Sequence, residues 1–196
     1  MPTDTPADPA SPSGRDDARA FCRRALACVK VGTPDGRGVD AAVARPLVDG
    51  LRVTYAVDAG QVFHAVRQRH LDVAGMTRDE LHAIAVANLW ALVESRVEVH
   101  RYGHIFVVTA GSDVEASLLP VDDFWTRQAP LAPDGFVVAI PARDLLAFGD
   151  RGSKDALREL DDLCTRAGGS ADHPLTDTLF ERIDGHWRPL ARDTDD

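Results

Sequence analysis

The sequence predicts an α+β fold: a mostly antiparallel sheet built from hairpin pairs, with helices packed against it. Three observations lead there. Leu51, Val53, Tyr55 and Val57 alternate with polar or small residues, the period of a strand with one buried face. Strand signals come mostly in neighbouring pairs joined by short turn sequences, as antiparallel ribbons require. Two segments with apolar residues three to four apart, near 78–94 and 153–167, stand between those pairs as helices.

Taken in order, Met1 to Asp17 holds Pro2, Pro6, Pro9 and Pro12 among Ser, Thr, Asp and Gly. Such a stretch has little to bury, so residues 1–17 are expected to form a disordered arm before a single domain over 18–192. Phe21–Val31 reads as a short helix giving way to a strand near Leu26–Val31, and periodicity leaves the boundary open. Thr33-Pro34-Asp35-Gly36 is a turn signal. After the strand at Leu51–Val57, Asp58-Ala59-Gly60 turns the chain into a second strand over Gln61–Val66.

Thr77-Arg78-Asp79-Glu80 is a capping box, which opens a helix from Arg78 to about Glu94. Leu81, Ile84, Ala85 and Leu92 form one apolar stripe, and Ala83, Val86, Trp90 and Val93 a second nearly opposite. Such a helix is central to its fold or covered by a partner. Val97, Val99 and His104–Thr109 then suggest a hairpin around Arg101-Tyr102-Gly103. Pro120 splits a helical segment over Asp113–Gln128 in two. Phe136–Ile140 reads as a central strand stopped by Pro141, with Leu145–Phe148 its hairpin partner. Ser153 caps a helix to Ala167, and Gly168-Gly169 ends it. Leu179–Ile183, Asp184-Gly185 and His186–Leu190 form a closing hairpin.

The 196 residues are 44% hydrophobic and 27% charged, which suits one domain with its own core. A net charge of −9 with scattered arginines argues against nucleic-acid binding. Phe136–Ile140, among the longest apolar runs, falls far short of the roughly 20 residues of a spanning helix, and no signal-peptide profile opens the chain. Cys22, Cys28 and Cys164 are odd in number and make no C-x-x-C pair, so a reducing, cytoplasmic setting is expected. Zinc spacing is absent too, and neither a metal nor a cofactor is expected. The preference for Arg over Lys and the many alanines hint at a GC-rich bacterial genome.

Several blocks stand in a particular order. Arg52-Val-Thr-Tyr-Ala-Val-Asp58 and Gly60 lead through Arg67-Gln-Arg69 to Thr77, Glu80 and Ala87-Asn88-Leu89. Glu115-Ala-Ser117-Leu-Leu119 and Val138-Ala-Ile-Pro-Ala-Arg143-Asp144 follow. In this arrangement the chain resembles the YtpQ-like bacterial proteins, a family described as a domain of unknown function. The resemblance spans roughly Arg45 to Leu190. Members of that family carry a longer N-terminal region, which here is shortened to the Pro-rich arm and one brief segment. The resemblance implies the fold and brings no catalytic motif with it.

Candidate site residues come from the chain itself. Asn88 falls on an apolar helix face, where an amide must be hydrogen-bonded; it either reaches a ligand or ties the helix to a carbonyl. Arg143-Asp144 follow a central strand, where an Arg-Asp pair can hold an anion or cap the turn. Asp58 is a turn residue that becomes catalytic only if a second titratable group converges on it. With Arg67, these define a possible pocket: Asp58, Arg67, Asn88, Arg143 and Asp144. His100 and His104 bracket a turn and need not converge, and Gly111-Ser112-Asp113 is no nucleophile elbow. Arg23 and Arg24 could lower the pKa of Cys22 or Cys28, although cysteine is also a frequently buried residue. Trp90, Trp125 and Trp187 are core residues or interface anchors. The expected function is a non-catalytic interaction protein with a protein partner: a regulator, an adaptor or an immunity-type protein. The alternative is a small enzyme or ligand-binding protein using the five-residue pocket.

Overall fold

Two antiparallel sheets, one of four strands and one of six, share the chain in this computed structural model. It describes residues 14–32, 38–60, 62–111, 113–167 and 172–191. The α+β class follows directly, with helices packed on antiparallel sheets.

The first helix, α1, runs over Arg15–Arg23, so Arg15, Asp16 and Asp17 belong to a helix and not to the expected arm. The two aspartates suit its first turn, where carboxylates meet unpaired N–H groups. Ala18, Phe21 and Cys22 bury its inner side. Residues 1–13, the turn at Thr33–Gly36, Ser112 and Gly168-Gly169 lie outside the described residues.

The four-stranded sheet is built on β3 (Leu51–Asp58). β1 (Leu26–Val31) pairs along one edge, from Leu26 opposite Ala56 to Val31 opposite Leu51. The other edge is shared: β2 (Ala44–Val48) pairs beside its first half and β4 (Phe63–Ala65) beside its second. Pro46 hides β2 from a sequence reading. The strand is nevertheless possible because it lies at an edge and shifts register between Pro46 and Val48. Asp49 and Gly50 turn β2 into β3 with positive φ at both positions, the backbone a two-residue hairpin demands. Ala27, Val29, Val53, Tyr55 and Val57 face the core.

Helix α2 (Gln68–Ala74), which the periodicity does not predict, follows β4. Helix α3 (Arg78–Val93) opens on the predicted capping box: Thr77 Oγ1 accepts the Glu80 N–H at 3.1 Å, and Glu80 Oε2 accepts that of Thr77 at 2.7 Å. Its buried side is one broad face of Leu81, Ala85, Leu89, Trp90 and Val93, not two opposed stripes. Leu92 stands 47% exposed.

The six-stranded sheet has the order β10-β9-β7-β8-β6-β5. Its hairpins are the predicted ones: β5 (Glu98–Tyr102) with β6 (Ile105–Thr109), β7 (Phe136–Ala142) with β8 (Leu145–Asp150), and β9 (Phe180–Ile183) with β10 (His186–Pro189). Pro141 does not stop β7. The strand passes it through a register shift between Ala139 and Ala142, where the ladder does not need its missing N–H. The segment around Pro120 folds as predicted in two pieces, a 3₁₀ turn at Glu115–Leu118 and α4 (Asp122–Gln128).

Both faces of the six-stranded sheet are covered. Val138, Ile140, Leu146 and Phe148 join the main core with α3, α4 and the inner face of the smaller sheet. Val137, Ala139 and Ala147 meet Ala156, Leu160 and Cys164 of α5 (Lys154–Ala167) on the other side. Ser153 caps α5, accepting the Ala156 N–H at 3.2 Å. Gly149 sets how closely α5 approaches, since a Cβ there would lie 2.7 Å from that of Ala156. The smaller sheet is tied to the 3₁₀ turn, where the Val29 N–H donates to Ser117 Oγ at 3.0 Å. No helix among the described residues is long and apolar enough to cross a membrane.

Candidate functional site

The structure disperses the five residues of the expected pocket. Asp58 ends β3; its Oδ1 accepts the Gly60 N–H at 2.7 Å, and its carbonyl accepts Arg24 Nη2 at 2.9 Å. Asn88 Nδ2 donates to the carbonyls of Arg23 and Ala25, at 2.8 and 2.9 Å. Both therefore bond groups of the α1–β1 junction without touching a common atom: Asp58 takes the Arg24 side chain, and Asn88 holds the carbonyls on either side of Arg24. Arg67 precedes α2, donating its N–H to His70 Nδ1 at 3.1 Å and its guanidinium to the Asp40 carbonyl. Arg143 and Asp144 form the β7–β8 turn, where Arg143 Nη2 donates to Asp113 Oδ2 at 2.9 Å. The main chain of Arg143 bonds Ala116 and His173, and Asp144 is exposed. Each side chain has its own local partner or faces solvent.

The aromatic candidates lie largely inside. Trp125 is fully buried and shares its indole N–H between the carbonyls of Leu118 and Leu119, at 3.1 and 3.0 Å. Trp187 is half-buried, its ring centroid 4.8 Å from that of Trp125. Trp90 is 9% exposed, edge-on to Phe124, with the Arg127 guanidinium 4.7 Å from its ring centre.

Burial alone pushes the Cys22 thiol up to about 11, and burial also raises that of Cys28, against the opposing charges of Lys30 and Arg143. The neighbouring arginines do not produce a reactive thiolate, because desolvation outweighs them. His100 lies in β5 beside Glu98, and His104 in the following turn donates its Nδ1–H to Glu159 Oε1 over 2.8 Å. Glu159 also accepts the His104 backbone N–H, and these bonds hold its carboxyl below the usual range. No group of His, Cys, Asp or Glu among the described residues is arranged to hold a metal ion.

One pair that the sequence reading missed joins α3 to the smaller sheet. Tyr55 Oη and His82 Nδ1 are 3.0 Å apart, and both feel the charges of Arg45 and Asp79, which form an ion pair at 3.0 Å. Burial raises the Tyr55 phenol to about 12, and burial followed by the Arg45 charge lowers the His82 pKa. A phenol so hard to ionise serves as a hydrogen-bond donor to neutral imidazole rather than as an acid at neutral pH.

Among the described residues, concave surface lies elsewhere, along one flank of α5. Three adjoining clefts of about 590, 470 and 500 Å³ are connected by shared residues: Leu157 and Leu190 join the first two, Asp161 and Asp177 the first and third. Pairing creates one wall. β9 meets β7 only at Val137 and Val138, while Pro174 bridges to Ala142. Residues 175–179 must therefore span the shorter stretch 139–141, and they bow away from β7. The Leu175 N–H anchors the bow on Pro141, and Thr178 folds back on Thr176 Oγ1. α5 forms the other wall. Five carboxylates line the clefts: Asp161, Asp162 and Asp177, with Asp134 and Glu181 at one end. Of the two arginines there, Arg158 pairs with Asp155 at 3.1 Å and Arg151 with Glu181. The sequence carries no signal for this surface, because it exists only where a distant segment returns past α5.

No protein-family model matches the chain, and no curated protein or solved structure does so either.

Proposed function

We propose that this chain is a non-catalytic interaction protein, of the regulator, adaptor or immunity type, that docks a protein partner along the α5 flank. The observation that carries the reading is the set of connected open clefts, with leucines in the lining and carboxylates along the walls. Surfaces that bind by burial and charge have this composition, whereas chemistry calls for convergent groups with displaced pKa values. The one pair of displaced groups in mutual contact described above, Tyr55 and His82, belongs to another part of the molecule. A cytoplasmic setting is part of the same proposal, supported by three free cysteines. The resemblance to the YtpQ-like proteins fits beside it, since Asn88, Glu115 and Ser117 of the shared blocks all bond backbone groups.

Native mass spectrometry of the tagged protein, recovered from its own cell's extract, tests the reading. A stoichiometric protein partner is expected with the unaltered chain and lost with Leu190→Arg, while Leu131→Arg, on an exposed site outside the clefts, retains it. A partner that survives Leu190→Arg places docking elsewhere. A retained small molecule in place of a protein favours the ligand-binding alternative.

A further inference from the structure

Resting on that docking reading, we infer that the occupant of the α5 clefts is a basic, extended segment of a partner protein, with Lys or Arg alternating with apolar residues. Length, lining and charge agree on this.

The residues of α5 that line the clefts run from Leu157 to Thr165, a stretch of about 14 Å at 1.5 Å per residue. An extended chain rises about 3.3 Å per residue, so about four residues match that length and a hexapeptide covers it with one residue beyond each end. Side chains of such a segment alternate in direction. One set would reach Leu157, Leu179 and Leu190, while the other would meet the walls.

Carboxylates outnumber arginines on the walls, five to two, although Glu181 is taken up by Arg151 and Arg188. Both cleft arginines are already held by carboxylates, and no described residue forms an ion pair with Asp162 or Asp177. A phosphate backbone or an acidic peptide would be repelled here, and a bare metal ion finds no ligand set among the described residues. Lys and Arg suit the place because their aliphatic stems pack on apolar surface while their heads reach carboxylates.

The test is fluorescence anisotropy with the full chain and three labelled hexapeptides: Arg-Leu, Ser-Leu and Glu-Leu, each repeated three times. The Arg-Leu peptide is expected to bind best and to weaken as salt rises. Asp162→Lys with Asp177→Lys should weaken it about tenfold or more, a loss of about 1.4 kcal/mol. Asp16→Lys with Asp123→Lys changes net charge equally on exposed helix positions away from the clefts and should leave binding nearly unchanged. Equal weakening by both double variants overturns the inference, since net charge would then explain it. Tighter binding of the Ser-Leu or Glu-Leu peptide also overturns it, yet leaves docking standing if Leu190→Arg abolishes that binding. If no peptide binds but the extract partner is lost with Leu190→Arg, the basic segment is wrong and the docking face is right. If no peptide binds and no partner is recovered, both fall.

Discussion

Trp125 and Trp187 direct their indole N–H groups at the same carbonyl oxygen, that of Leu119, over 3.0 and 2.8 Å. One acceptor with two lone pairs thus joins α4 and the closing hairpin to the turn after the 3₁₀ segment. Trp125→Phe should cost more than Trp187→Phe, because Trp125 is fully buried and also serves Leu118. About 1 kcal/mol is expected for Trp187→Phe and about 2–3 kcal/mol for Trp125→Phe, as a hydrogen bond lost with and without further burial. Urea unfolding followed by far-UV circular dichroism measures both. The reverse order would show that Trp187 holds the hairpin by other means.

Asn88→Ala should destabilise the fold by about 1–3 kcal/mol, since it leaves the carbonyls of Arg23 and Ala25 without their amide donor. Binding at the α5 clefts should be unaffected. A stable variant with altered binding would restore Asn88 as a ligand contact.

Stability should fall on both sides of neutrality around Tyr55 and His82. The His82 pKa in the folded chain lies below the ordinary 6.5. The unfolded chain therefore binds a proton that the folded one refuses, and stability drops as pH falls below about 6.5, until the folded value is passed. Tyr55 is the opposite case, raised to about 12 from 10.0. Its contribution is complete below pH 10 and is lost as pH rises towards 12, up to about 3 kcal/mol for a buried phenol. Urea midpoints across pH check this, and Tyr55→Phe should remove its share of the alkaline loss. An unchanged alkaline limb in that variant would count against the assignment.

Cys22 should resist alkylation in the folded protein at mildly alkaline pH, because burial holds its thiol near 11. Mass spectrometry after timed treatment with iodoacetamide reads the rate, which should rise sharply in urea. Fast labelling without unfolding would mean that α1 opens locally.

Gly149→Ala should displace α5, since the new Cβ would sit 2.7 Å from that of Ala156. Overpacking of this kind costs about 1–3 kcal/mol, and Ala156→Gly in the same chain should restore part of it. Thermal unfolding of the two single variants and the double variant gives the coupling. Simple additivity would show that the helix adjusts without strain.

Many of the elements were legible because their signals are local. Thr77 and Glu80 close a capping box within four residues, and Asp184-Gly185 imposes a tight turn on its own neighbours. β2 was not legible, because Pro46 speaks against a strand until the chain places it at an edge. Pro141 failed as a stop signal for a similar reason: a bulge accommodates it. Asn88 could be recognised as a polar intruder on a helix face, but its partners lie more than sixty residues away.

The sequence by itself determined the fold class, most of the hairpins and the capped starts of the long helices, because those depend on the conformational preferences of adjacent residues. Tertiary structure alone decided that the five candidate residues keep separate partners, that Tyr55 meets His82, and that residues 175–179 bow away from β7 beside α5. These are matters of register between distant segments, and a register is settled only when the whole core packs.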